Sequence, residues 1–257
     1  MSDDLLVSRD GSVLRVTFNR PEQRNALTWQ MYADLVGACE LADTDADIRV
    51  MVLRGAGDAA FVAGTDISQF SEFRTGEDGI AYEQKISSVV DRLASVRVPT
   101  VAAISGFCVG GGLALAAVCD IRVATPSARF GVPIARTLGN CLAMSTYSLL
   151  VGHLGQARAL DMLLRARLFT GEEMLTVGFV AELCGEAELD ACTTSVVDRL
   201  AAHAPLTMWA AKESVRRLRQ ANTPNGDDIV RTVYGSEDFH HGVASFVAKR
   251  KPRWLGR

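Results

Sequence analysis

Excess positive charge is absent from this sequence. The formal net charge is −3 over 257 residues, which leaves no electrostatic case for nucleic acid as a partner. None of the six cysteines (Cys39, Cys108, Cys119, Cys141, Cys184 and Cys192) falls in a CxxC pair, and none clusters with the four histidines at metal-ligand spacing. The thiols therefore read as reduced groups of a cytoplasmic protein, with no metal site expected. No GxGxxG opens a helix after the first strand, which excludes a generic dinucleotide-dependent oxidoreductase. Ser105 lacks the GxSxG context of a serine hydrolase. The acidic start, MSDDLLVSRDG, has no basic segment followed by an apolar one, so a secretory signal is not expected. Repeats and low-complexity segments are missing as well.

One stretch, Thr100 to Cys119, carries no charge and is long enough to raise the question of a membrane span. The triplet Gly110-Gly111-Gly112 argues otherwise, because a buried strand–loop–helix needs such a break and a lipid-facing helix gains nothing from it. The chain is read as soluble, without a membrane partner. Its hydrophobic fraction of 48% and charged fraction of 22% are ordinary for a globular protein. The length fits one domain with a small helical C-terminal part.

Residues 4–9 and 12–18 flank Asp10-Gly11 and predict a hairpin. Helical spacing follows over 28–44, with Thr28 as cap, and again over 80–96. Strands are predicted at 48–53, 101–104 and 121–124, with a helix from Leu113 to Val118 between the last two. Beyond 145 helices dominate, at 145–151, 155–165, 171–177, 187–202, 205–220 and 227–248, with a short strand near 179–184. Alternation followed by helices predicts an α/β core with an α-helical C-terminal region.

Two segments share a strand, a glycine turn and a helix start: Phe61-Val62-Ala63-Gly64-Thr65-Asp66-Ile67 and Ser105 through Leu113, which contains the triplet. Helix N-termini present unpaired N–H groups and partial positive charge, and glycine lets a ligand approach the backbone. Two such donors aimed at one point form an oxyanion hole.

These segments combine with Asn19-Arg20-Pro21-Glu22-Gln23-Arg24-Asn25-Ala26-Leu27 upstream and Cys119-Asp120 downstream. In this order and spacing, over nearly the whole chain to Lys249-Arg250-Lys251-Pro252, the sequence resembles the crotonase (enoyl-CoA hydratase/isomerase) superfamily. The resemblance implies a crotonase-like spiral of ββα units over 1–195, a helical trimerisation region over 196–257, and homotrimers that pair into hexamers. It implies an acyl-CoA ligand, with coenzyme A as part of the substrate and no separate cofactor. The oxyanion donors would be the N–H groups of Thr65 and Gly111. Ala26, Ala63, Asp66 and Ile67 would line the path of coenzyme A, and Ala114 and Ile134 would face the acyl group. Asp66 and Asp120 also match family positions, and a carboxylate near a helix start reads first as a cap.

The sequence departs from the family at the proton-handling positions. Resembling hydratases carry one glutamate two residues after the glycine triplet and another after the proline of FGxPE. Here those positions are Ala114 and Ile134, and a positioned acid or base is worth about 10² to 10⁴ in rate. Two other residues are candidates. Cys141 aligns with an aspartate of a dehalogenase branch and would act as nucleophile or base if Arg136 held its thiolate; the bland reading is a buried small hydrophobe. Glu83, one turn from Ser87 on a helix that borders the acyl pocket in relatives, is the best remaining carboxylate. His153 reads as a surface or cap residue. The expected function is an acyl-CoA-handling enzyme that stabilises an enolate or oxyanion, with ordinary hydration disfavoured; the alternative is a non-catalytic acyl-CoA-binding protein.

Overall fold

Alternation at the N-terminus sets the first sheet. In Val13–Phe18 the side chains of Leu14, Val16 and Phe18 point inward and those between them outward, as a half-buried strand requires. The computed structural model describes residues 2–221 and 223–257. Strands β1 (Leu5–Asp10) and β2 (Val13–Phe18) pair antiparallel with Asp10 opposite Val13, so Gly11 and Ser12 form the link, one position later than the sequence predicts. Helix α1 (Trp29–Thr44) follows, capped by Thr28, whose side chain accepts from the Met31 N–H. Strand β3 (Val50–Gly55) joins β2 in parallel, and β4 (Ala60–Val62) starts a second sheet.

Helix α2 (Gly76–Ala94), strand β5 (Thr100–Ile104), strand β6 (Phe107–Val109), helix α3 (Gly111–Val118) and strand β7 (Ile121–Ala124) come next. Then follow β8 (Arg129–Gly131), a short α4 (Ile134–Thr137), and α5 (Met144–Leu164), which is interrupted at Gly155 where the sequence predicts two helices. Strand β9 (Phe169–Thr170), α6 (Gly171–Thr176), β10 (Glu182–Leu183), α7 (Leu189–Ala201), α8 (Pro205–Gln220), α9 (Asp227–Tyr234) and α10 (Glu237–Val247) complete the order. The larger sheet runs β1-β2-β3-β5-β7-β10 and the smaller β4-β6-β8-β9. Central strands β3 and β5 are buried on both faces and read as near-continuous apolar runs. On one face Val50, Val52, Val101 and Val123 meet Leu189, Val196 and Val197 of α7; the opposite face meets the main core under α1, α2 and α3. This is the α/β architecture expected. Strands of three and two residues, at 129–131 and 169–170, show no period, and the sequence predicts neither.

Residues 196–257 do two different things. Helix α8 buries none of its residues and leaves Leu206, Val215 and Leu218 exposed. By contrast, Val230, Tyr234, Phe239 and Val243 of α9 and α10 join the main core. The single helix predicted over 227–248 breaks at Gly235-Ser236, because Ser236 caps α10 by accepting from the Phe239 N–H at 3.1 Å. Helix α9 lies directly on α2: a Cβ at Gly79 would sit 2.2 Å from Tyr234 Cγ. Overpacking of this kind costs about 1–3 kcal/mol. Gly79→Ala is accordingly expected to lower the urea midpoint without changing the slope, and an unchanged midpoint would mean that the two helices separate freely.

Candidate active site

Leu27 and Thr65 form an isolated parallel bridge. The Leu27 N–H donates to the Gly64 carbonyl at 2.9 Å, and the Asp66 N–H donates to the Leu27 carbonyl at 2.9 Å. That pattern uses the groups on either side of Thr65 and turns its own N–H the other way. Gly111 opens α3, so its N–H has no intrahelical partner. Neither N–H has a protein acceptor among the described residues. Gly110 reaches this geometry at φ 55° and ψ −123°, a conformation that favours glycine. It donates to the Gly131 carbonyl at 3.0 Å, fixing the helix start against β8. The two donor segments lie against each other: a Cβ on Gly111 would stand 2.9 Å from the Tyr32 hydroxyl and 3.5 Å from Thr65 Oγ1.

Both donors line a cavity of about 460 Å³, along with Glu83 and all six residues assigned to the acyl-CoA path: Ala26, Ala63, Asp66, Ile67, Ala114 and Ile134. Ala26 is placed by an unusual turn. Arg24 and Asn25 adopt φ 50° and 56°, which costs about 1–2 kcal/mol per non-glycine residue. Asn25 offsets that cost with its fully buried side chain, which accepts from the Arg20 N–H at 3.0 Å and donates to the Ala60 carbonyl at 2.7 Å. Asp66 caps the 3-10 turn Ile67–Glu72 through the Ser68 N–H and pairs with Arg20 at 3.1 Å. Burial opposes its ionisation, but bonds from Ser68 and Arg20 outweigh this and hold the carboxyl below its usual range. Arg24 and Arg136 are exposed, line the cavity and make no ion pair among the described residues.

Glu83 differs from Asp66, the other carboxylate that lines the cavity. It is 5% exposed; one oxygen accepts from the Tyr234 hydroxyl at 2.7 Å, the other from the Ala143 N–H at 2.8 Å. Burial pushes its carboxyl from 4.5 up to about 7, although both hydrogen bonds pull it back. The Tyr234 oxygen also accepts from Asn140 Nδ2 at 3.2 Å. Ser87, one turn along, bonds Ser145 at 3.1 Å and ties α2 to α5. Nearby, Thr65 Oγ1 sits 2.8 Å from the Tyr32 hydroxyl and 2.9 Å from that of Tyr82. Burial pushes all three phenols above their usual range, so they stay protonated. Tyr32, Tyr82 and Tyr234 lie on helices whose apolar spacing signals packing, and no motif in the sequence marks them for chemistry.

Three expectations need correction. Cys141 is 5% exposed and absent from the cavity lining, although its neighbours Asn140 and Leu142 belong to it. Burial, with the charge of Glu83 adding, pushes its thiol up to about 12, and Arg136 does not enter; the buried-hydrophobe reading describes it. Asp120 caps no helix. It accepts from the Thr100 N–H at 2.7 Å and pairs with Lys212, tying β5 to α8. His153 is half-buried rather than superficial: its Nε2 lies 2.8 Å from the Ala117 carbonyl, and burial pushes its pKa down to about 4. Among the described residues no group of three or more His, Cys, Asp or Glu is placed to hold a metal, and no helix is long and apolar enough to cross a membrane.

A family model described as enoyl-CoA hydratase/isomerase matches residues 8–257. A probable enoyl-CoA hydratase of Mycobacterium bovis is 31% identical over 265 residues, covering 99% of both chains. A peroxisomal Delta(3,5)-Delta(2,4)-dienoyl-CoA isomerase of Arabidopsis thaliana is 32% identical over 261 residues, covering 95% of this chain and 93% of the other. Among solved structures, methylmalonyl-CoA decarboxylase in complex with 2-nitronate-propionyl-CoA superposes with a TM-score of 0.90 at 26% identity, covering 100% of both chains.

Proposed function

Since the chain belongs to the enoyl-CoA hydratase/isomerase family, we propose that its cavity takes an acyl-CoA thioester and that Glu83 moves a proton at the carbon beside the carbonyl. The N–H groups of Thr65 and Gly111 hold the carbonyl oxygen and stabilise the enolate formed when that proton leaves. Arg24 and Arg136 attract the phosphates of coenzyme A. The observation that carries this reading is Glu83 itself, a carboxyl inside the cavity whose burial sets it at about 7, where a group both accepts and returns a proton near neutral pH. The positions that hold glutamates in resembling hydratases are here Ala114 and Ile134, both non-titratable cavity residues. Single-carboxylate enolate chemistry, of which α-proton exchange and double-bond isomerisation are the simplest forms, therefore fits better than water addition. The exposed Leu206, Val215 and Leu218 of α8 are the apolar surface that a trimer would cover.

Mass spectrometry of saturated, enoyl and malonyl-type acyl-CoAs incubated with the protein in heavy water tests this reading. Deuterium enters the α-position of at least one of them, without a gain of water. If acyl-CoAs co-purify with the protein yet return with unchanged mass, the apolar Ala114 and Ile134 point instead to a non-catalytic acyl-CoA-binding protein.

A further inference from the structure

Three hydroxyl groups meet beside the oxyanion donors, and their protons can be counted. Tyr32, Thr65 and Tyr82 carry one hydroxyl proton each and share two hydrogen bonds, with Thr65 Oγ1 in the middle. Two protons fill those bonds. A third has no acceptor among the described residues. A buried donor without an acceptor is costly, so its position matters.

Tyr32 is 1% exposed and does not line the cavity, whereas Thr65 and Tyr82 do. A spare proton on Tyr32 would be stranded in the core. An order in which the middle hydroxyl, Thr65, both accepts and donates gains from mutual polarisation, which two phenols donating to one threonine do not. The favoured order therefore runs from Tyr32 through Thr65 to Tyr82, and it delivers the spare proton to the cavity wall. The receiving atom follows from proximity: the Tyr82 hydroxyl is 2.9 Å from the side chain of the residue whose N–H serves the oxyanion hole.

We propose that the Tyr82 hydroxyl is a third donor to the thioester oxygen, beside the N–H groups of Thr65 and Gly111. This rests on the acyl-CoA reading above and adds a catalytic residue to it. Such a donor gains strength as charge gathers on the oxygen, so it acts on the enolate more than on the ground-state ligand.

A 3-oxoacyl-CoA serves as the probe, because it ionises to an enolate that is followed by its near-ultraviolet absorbance while bound to the intact protein. Binding to the wild type is expected to favour ionisation relative to the free compound. In Tyr82→Phe the ionisation constant of the bound probe falls about tenfold, the scale of one charge-assisted hydrogen bond, while affinity for a saturated acyl-CoA changes less than about threefold. Tyr32→Phe, at the far end of the chain, lowers the ionisation constant by less than about threefold. A Tyr82→Phe protein that ionises the probe as well as the wild type overturns the proposal and leaves the two N–H donors standing. Equal losses in Tyr82→Phe and Tyr32→Phe overturn the direction of the chain. A tenfold loss of saturated acyl-CoA affinity in Tyr82→Phe makes the residue a wall of the pocket and also overturns it. No enhancement of ionisation in the wild type overturns the oxyanion reading together with this one.

Discussion

Glu83→Gln lowers acyl-CoA turnover or α-proton exchange by about 10² to 10⁴-fold, the worth of a positioned acid or base. Glutamine keeps the shape and one acceptor oxygen, enough for Tyr234 or for the Ala143 N–H but not both, and it cannot take a proton. The loss should fall on kcat, and the pH profile should lose the limb centred near 7, where the wild-type carboxyl titrates. Stability supplies a second check with a definite sign. The folded carboxyl titrates above its ordinary value of 4.5, at about 7. Its contribution is therefore complete below pH 4.5 and is lost as pH rises through 7. The span corresponds to about 3 kcal/mol. Measured by urea unfolding, Glu83→Gln should gain on the wild type by up to that amount between pH 4.5 and above 7. A constant difference across that range would mean that Glu83 is already ionised when buried, and a kcat unaffected by the substitution would remove it from the chemistry.

The backbone donors are tested by Gly111→Pro, which deletes one N–H. Proline is tolerated at the first position of a helix, where the N–H has no helical partner. The new ring must still avoid the Tyr32 hydroxyl, which lies 2.9 Å from the position of a Cβ on Gly111. Gly111→Ala carries the same contact and keeps the donor, so it isolates the effect of the N–H. Loss of one oxyanion donor costs about 10² to 10³ in kcat. Gly111→Pro is expected to fall by that factor relative to Gly111→Ala, with acyl-CoA affinity retained. Equal rates for the two variants would place the carbonyl oxygen elsewhere.

Much of this site was legible because backbone chemistry leaves a mark in sequence. A strand followed by glycine and a helix start predicts free N–H groups, and among the described residues Thr65 and Gly111 are such groups. Thr28 is a cap because a hydroxyl before an apolar helix has few other uses. Glu83 was legible only by elimination: nothing in its neighbours announces that Tyr234, 151 residues later, meets it. The break at Ser236 had a local signal in Gly-Ser followed by two acids, but the apolar period on either side masks it. Cys141 shows the opposite failure. A cysteine near an arginine suggests a thiolate, and only packing reveals that the thiol is enclosed without it.

The contact between Glu83 and Tyr234 also has a history in time. A ribosome adding about 5–20 residues per second reaches Tyr234 roughly 8 to 30 seconds after Glu83, and α10 emerges later still. Until then the buried carboxyl has no phenol beside it, and the wall supplied by the last helices is missing. The residues of the central sheet and both glycine turns precede that point, so the Glu83 carboxyl waits for its burial longer than they wait for their strands. The environment that sets the Glu83 carboxyl thus arrives with the final tenth of translation, and a chain released before that point would hold both glycine turns without it.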